Sequence, residues 1–500
     1  MKKILITLLI LSIVFGVLIR SVEVLNRNYL FAFDQGRDYL AVRSIVVDHK
    51  PTLIGSELGA GSAGFRGLFH GPFHYYFLAI PFFLSRGDPH SGILLTYVYG
   101  LAVLILGFLL ARRLFGTLFA LVAAALLSLS PPLISQSRFV WNSHGAPVFA
   151  LISFYFIYRL AEGVRDPKYF FAASFSAAFI YNFQTAIAIP ISLALLIYCF
   201  LILKIRALKH YLALILGFIL ALSPMILFEI RHQFMGLKGV IEYILNPQGS
   251  KTIQEVADRL IGQLGAFIHN TYDTFPKQIL LEGKVILILL LSLSVYFVSR
   301  EKNKPIKKFI LFLISIPFIT FFILSFLKNL VYQYYLLHLV LVYIFLLSYI
   351  IYSSISKKKH LITFFAVVFV AVSFAKAYPE IVSTFNKDYV DFGGTAKIKG
   401  KIEAIDYIYK DAGDDRFCMM VFSPPVYTYP YDYLIAWWGE AKYHYIPCKE
   451  KKDTFYLLIE PDPSKTWSYK GWLETVIKEG TVIYEKELPS GFIVQKRFND

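Results

Sequence analysis

Long apolar runs, set off by short basic or polar interruptions, dominate most of this chain. A helix needs roughly 17–25 predominantly apolar residues to cross a bilayer. Such stretches lie near Ile4–Leu18, Ile93–Leu110, Leu114–Ser130, Ala146–Tyr158, Tyr169–Tyr181, Ala186–Leu203, Tyr211–Phe228, Val285–Val298, Phe309–Phe326, Val331–Ile351 and Leu361–Ala375. They predict about eleven transmembrane helices. A twelfth apolar stretch, Gly67–Leu84, is broken by Gly71, Pro72 and Pro81 and carries His70 and His74. From Asn386 onward the pattern changes. Phe417–Phe422, Thr454–Ile459, Val482–Glu485 and Phe492–Val494 read as strands, and Lys399–Lys410 and Trp472–Lys478 as helices. Prolines 424, 425, 430, 461 and 463 mark the turns. The predicted fold class is a polytopic α-helical membrane protein (residues 1–379) with a small C-terminal α/β domain (380–500).

Charge placement supplies the orientation. Short cytoplasmic loops are enriched in Lys and Arg. Lys2 and Lys3 precede the first span; later clusters are Arg112–Arg113, Arg159/Arg165/Lys168, Lys204/Arg206/Lys209, Arg300/Lys302/Lys304/Lys307/Lys308 and Lys357–Lys359. All fall on one side only if Gly67–Leu84 does not cross. That stretch is therefore predicted to lie along the outer surface, with the N-terminus cytoplasmic and the C-terminal domain outside the cell membrane. The first 20 residues resemble a secretory signal, but no small-x-small cleavage site follows, so they read as a retained anchor.

Composition narrows the function classes. Apolar residues make up 57% of the 500, charged residues only 17%, and the mean hydropathy is +0.57, which excludes a soluble globular protein. The formal charge of +16 would suggest nucleic acid, but from Asn386 to Asp500 there are 14 Lys and 2 Arg against 10 Asp and 8 Glu, a net of −2. The positive excess thus belongs to the membrane half, where topogenesis and anionic lipid account for it, and no nucleic-acid partner is expected. Three cysteines exclude a disulfide scaffold. Cys418 and Cys448 share the outer domain, where spacing alone leaves them paired or free, and Cys199 lies in a span.

The spans hold almost no Asp, Glu, Lys or Arg; the ionisable groups collect at the outer ends. Asp34, in Phe31-Ala-Phe-Asp34-Gln-Gly-Arg-Asp38, is either a general base at an apolar surface or the N-cap of a helix starting at Gln35. Arg138 and Asn142, in Ser137-Arg-Phe-Val-Trp-Asn142-Ser-His144, bind a phosphate or sugar or else belong to an interfacial belt. Arg231 and His232 follow Glu229 and open a loop of about fifty residues to Gly283. Arg231 either forks onto phosphate oxygens or pairs with Glu229. The outer loops then run over 20–90 and 230–282. His70 and His74 have the spacing of a metal pair but no third ligand, so no metal site is assigned. Tyr332, Tyr334 and Tyr335 mark an aromatic belt. No phosphate loop, dinucleotide fingerprint, nucleophile elbow or zinc-helix motif occurs.

Five segments in order carry a family resemblance: Phe33-Asp34-Gln-Gly-Arg-Asp38-Tyr-Leu, His70-Gly71-Pro72-Phe-His-Tyr75-Tyr76-Phe-Leu, Ala111-Arg-Arg-Leu-Phe-Gly116, Ser137-Arg-Phe-Val-Trp-Asn142, and Ser223-Pro-Met-Ile-Leu-Phe-Glu-Ile-Arg-His232. Over the first 235 residues the chain resembles membrane glycosyltransferases of the GT-C fold. The nearest group is the family-39-like enzymes related to protein O-mannosyltransferases and the lipid A aminoarabinose transferase. The resemblance implies transfer of a sugar, with inversion, from a polyprenyl-phosphate donor to a hydroxyl of a glycan, lipid or protein acceptor at the outer face of the bilayer. It implies Asp34 as base, and Asp38, His70, Tyr75, Arg138, Asn142, Arg231 and His232 as substrate-binding residues. Several relatives carry Asp-Glu where this chain has Asp34-Gln35. A second acidic role would then pass to Asp38 or Glu57, and dependence on a divalent metal is left open. A lipid-linked oligosaccharide flippase or transporter would instead need a polar path through the spans. A polysaccharide polymerase or ligase would use similar outer arginines with a lipid-linked acceptor. A noncatalytic scaffold would lack a convergent Asp and Arg pocket.

Overall fold

The computed structural model describes residues 2–58, 67–245, 253–275, 281–327, 331–413, 415–424, 427–465 and 467–499. Every one of the eleven apolar stretches is helical. Among the described residues, six helices are long and apolar enough to cross a membrane unaided: Lys3–Asn26, His90–Phe115, Thr185–Ile202, Lys304–Leu324, Gln333–Ser356 and His360–Val390. A seventh candidate, Leu208–Ala221 with Ser223–Arg231, is bent by 67°. Pro224 opens its second half, and a proline cannot donate the hydrogen bond that would carry a helix straight through. Thr117–Leu129 and Gly283–Ser299 are shorter apolar helices. Leu337–Ser356 is apolar all round and is buried almost throughout, as an apolar helix at the centre of a bundle must be.

The bundle has two chemically distinct ends. Arg112 and Arg113 close the helix His90–Phe115, and Arg113 grips Glu162 through two 2.9 Å bonds. Phe115 packs on Tyr349 and Tyr352, whose helix ends near Lys357; Lys357 and Tyr349 both reach Glu301. His210 bonds the Arg165 carbonyl at 2.8 Å. The basic clusters therefore gather at one end. At the other end of His90–Phe115, ~40 Å away by helical rise, Tyr39 donates to the Pro89 carbonyl and Tyr29 packs on His90.

Helix Phe73–Leu84 belongs to this second end. Near its start His74 touches Asp38 at 3.2 Å; near its finish Phe82 packs on Tyr39 and Tyr433. Because both ends of the helix meet the same neighbours, it runs along them and does not cross. Ile80, Phe83 and Leu84 are left exposed, the pattern of a helix lying at a lipid surface.

The span 233–282 holds more structure than the expected loop: helices Met235–Leu245 and Ile253–Thr274. The second buries Phe267, Gln263 and Asn270, with Gln263 donating to the Leu324 carbonyl at 2.9 Å and Asn270 to Gln333 at 3.2 Å. Its polar residues interrupt any apolar run, so a search for runs passes over it.

The C-terminal domain is a four-stranded sheet, β1 (Cys418–Phe422), β2 (Asp453–Ile459), β3 (Thr481–Glu487) and β4 (Ile493–Asn499), in the order β1-β2-β4-β3. β1 and β2 are parallel; the other pairs are antiparallel. Helix Ile398–Ala412 covers it through Ala404, Ile405 and Ile408. Cys418 and Cys448 are disulfide-bonded. The same apolar core continues through Tyr431 and Tyr433 into Phe31, Tyr39, Tyr75 and Phe82, so domain and outer loops are packed as one body.

Candidate active site at the outer loops

Helix Phe33–Val46 carries the acidic motif. Its start is fixed by Gln35, whose side chain accepts from the Ala32 N–H at 2.9 Å and donates to the Val140 carbonyl at 2.6 Å. Asp34 therefore stands in the first turn without serving as the cap. Gln35 is a neutral tie between two loops and is buried.

Arg37 organises the carboxylates. Its Nη1 lies 2.8 Å from Asp34, while Nε and Nη2 donate to one oxygen of Asp38 at 2.9 and 2.7 Å. The other Asp38 oxygen meets His74 Nε2 at 3.2 Å. The environments of the two acids differ. Burial raises the pKa of Asp34; Arg37 opposes this, and the negative charge of Asp38 adds to it. Asp38 is buried completely, which would also raise its pKa, but Arg37 and the His74 hydrogen bond outweigh burial and hold it below the usual range. Asp38 is thus a fixed anion, and Asp34 is the acid of the pair that takes a proton more readily. Tyr75 lies beside Arg37 and Asp38, and burial keeps its phenol protonated. Arg37 has five N–H groups; three serve the two carboxylates and one the phenol, which leaves one donor for a further oxygen.

His70 does not share a helical face with His74. It precedes the helix, bonds Thr185 at 3.1 Å, and burial depresses its pKa to about 3, so it stays neutral. Gly71 beside it touches the Asn182 amide so closely that a Cβ would lie 2.0 Å from its oxygen. Among the described residues no three His, Cys, Asp or Glu side chains converge on a point that could hold a metal ion.

The remaining residues named from sequence lie around this centre without joining it. Arg138 is committed to Glu23, through bonds of 3.0 and 2.8 Å, and to Asp388. Asn142 donates to the Phe183 carbonyl at 2.7 Å. Arg231 is exposed at the end of helix Ser223–Arg231, and His232 stacks on Phe228. Glu229 does not pair with Arg231; its oxygens accept from the N–H groups of Gly236 and Leu237 at 3.1 and 3.2 Å. Phe69, four residues before Phe73, packs on Phe228 of this helix. Glu57 accepts from the Gly67 N–H at 3.3 Å. Arg37 was missed from sequence. Its signal was the i,i+3 spacing from Asp34, which sets both on one helical face.

Aromatic rings flank Asp34. Phe33 packs against Tyr427 and Tyr429 of the C-terminal domain at 5.5 and 5.2 Å. Tyr334, also within electrostatic reach of Asp34, packs on Trp141 at 4.5 Å.

Residues 69–228 match the family model for dolichyl-phosphate-mannose-protein mannosyltransferase. Across 97% of both chains the structure is similar to ArnT from Cupriavidus metallidurans bound to undecaprenyl phosphate, with a TM-score of 0.59 at 11% identity. Against the apo state of that protein the TM-score is 0.57 at 12% identity, over 98% of both chains. No curated protein sequence matches the chain significantly. This multi-pass membrane protein therefore has the fold of ArnT, a GT-C fold, and within it residues 69–228 match the protein mannosyltransferase family model.

Proposed function

We propose that the protein moves one sugar from a polyprenyl phosphate to an acceptor hydroxyl at the outer membrane face. The carrying observation is the geometry of Arg37, bonded to both Asp34, whose pKa burial raises, and Asp38, held below the usual carboxylate range by Arg37 and His74. Three facts support it: the site lies at the end of the bundle opposite the basic clusters, part of the chain matches a family using a dolichyl-phosphate sugar, and the ArnT structure of like fold holds undecaprenyl phosphate. The positive-inside rule then makes the site's end external.

In this reading the donor's tail stays in the bilayer and its phosphate lies beside Arg37. Asp34 accepts the acceptor O–H proton as the oxygen attacks the anomeric carbon. The bond from that carbon to the phosphate oxygen breaks, and its electron pair leaves with the polyprenyl phosphate. A single displacement inverts the centre. Arg37 lowers the barrier to the extent that it holds the departing phosphate better than the bound donor. Asp38 and His74 fix Arg37. A positioned base of this kind contributes about 10²–10⁴ in rate. Arg231, exposed at the end of its helix, is available to the donor's head group at entry.

The test uses the full chain in nanodiscs with radiolabelled polyprenyl-phosphate sugars and measures release of polyprenyl phosphate. Asp34→Asn should cut turnover by about 10²–10⁴ with donor binding retained. Near-normal turnover would remove Asp34 as base.

A further inference from the structure

We propose that the acceptor is a carbohydrate, and that its ring lies on an aromatic platform which the C-terminal domain adds beside Asp34. This deepens the transferase reading above and rests on it. Phe33, next to Asp34 in sequence, packs on both Tyr427 and Tyr429. Those two tyrosines stack on each other, centroids 5.4 Å apart and planes 22° from parallel. Tyr427 is 55% exposed, so part of this residue remains accessible beside the stack. Arg37 lies 5.7 Å from the Phe33 centroid, placing a cation and the Asp34 carboxylate at the platform's edge.

The platform is held rigidly. Pro430 sits against Gly36, with no room for even a Cβ between them. Tyr431 donates to Glu460 at 2.5 Å; the buried Lys401 donates to Tyr431 at 2.8 Å and to Glu460 at 3.2 Å, and Ser423 donates to Glu460 at 3.1 Å. Ser423 directly follows β1 and Glu460 directly follows β2. The segment bearing the tyrosines thus leaves the carboxyl end of β1, tied by Ser423 and Tyr431 to Glu460 at the carboxyl end of the parallel β2, a common location for ligands in α/β sheets.

The chemistry selects the ligand. One face of a pyranose ring presents only C–H groups, while its rim carries hydroxyls. A flat aromatic surface with a carboxylate and a guanidinium at its edge is complementary to that shape. A serine or threonine side chain has no such face. A second aromatic group, Trp141 with Tyr334, lies at the start of the helix Gln333–Ser356, with Tyr334 within electrostatic reach of Asp34.

Saturation-transfer NMR on the full chain in nanodiscs tests this without requiring turnover. The probes are the methyl glycosides of glucose, galactose and mannose, with N-acetylthreonine amide as the peptide comparison. At least one glycoside should receive saturation at its ring C–H protons. Tyr427→Ala should weaken its binding about fivefold to tenfold, the size of one aromatic contact, while Tyr427→Phe retains it. Absence of any glycoside signal, a signal indifferent to Tyr427→Ala, or Tyr427-dependent binding of the threonine amide alone would each overturn the proposal. Asp34→Asn turnover is read separately, so loss of the base assignment and loss of the platform are distinguishable.

Discussion

Asp34 and Asp38 are four residues apart on one helix and share one guanidinium, yet they differ in proton affinity. This gives opposite expectations for two variants. If Asp34 is the base, turnover rises with pH through its raised pKa. Arg37→Gln removes the charge that opposes burial, so the acidic limb of the rate profile should move to higher pH. Asp38→Asn removes a neighbouring negative charge and frees Arg37 for Asp34, so the limb should move to lower pH. Equal shifts in one direction would contradict the shared-guanidinium arrangement. The stability sign also follows: because Asp38 is depressed, its contribution is full above the ordinary carboxylate range and is lost as pH falls through its folded pKa. Asp34 and Asp38 were legible in sequence because acids at an apolar surface are conspicuous. Arg37 was not, because it reads as an ordinary partner one helical turn away.

At the scale of elements, the contact that brings the C-terminal domain over the site is the crossing of helices Phe33–Val46 and Tyr429–Leu434 at Gly36. A methyl group there would lie 2.2 Å from the Pro430 nitrogen and 2.4 Å from the Tyr429 carbonyl carbon, both backbone atoms that cannot swing aside. Gly36→Ala should therefore lower stability by about 1–3 kcal/mol, the usual cost of overpacking. It should also open the C-terminal domain to limited proteolysis; unchanged protection would show that the crossing is not a tight one. Charge parity predicted that helix Phe73–Leu84 does not cross the membrane, and its contacts at both ends with the Asp34 helix lay it along that helix. The helix Ile253–Thr274 escaped notice because its buried side includes Gln263 and Asn270, which satisfy carbonyls and amides that no sequence pattern reveals.

Across the whole molecule, Arg138 joins three distant parts of the chain: Glu23 at the end of the first span, its own loop, and Asp388 on the last membrane helix. The Arg138 and Glu23 side chains are largely buried, so their removal leaves charge without a partner. Arg138→Met should destabilise the protein by about 3–5 kcal/mol with donor affinity unchanged. Weaker donor binding at unaltered thermal stability would instead return Arg138 to the substrate. This residue was assigned to phosphate from its position at an outer helix end; its acidic partners lie 115 and 250 residues away in sequence.

The helical stretches, the two ends of the bundle and most elements of the C-terminal domain were already determined by the order of residues. Run length against bilayer thickness, the side bias of Lys and Arg, and alternation at periods of two or 3.6 are all local properties. Which charges meet was decided only by folding. Arg37 rather than Arg231 contacts Asp34, Gln35 ties loops together, Arg138 is consumed by structure, and Tyr427 arrives beside Phe33 from nearly four hundred residues downstream. Electrostatic and stacking energies depend on distances of a few ångströms between segments far apart along the chain, and only the packed molecule sets those distances.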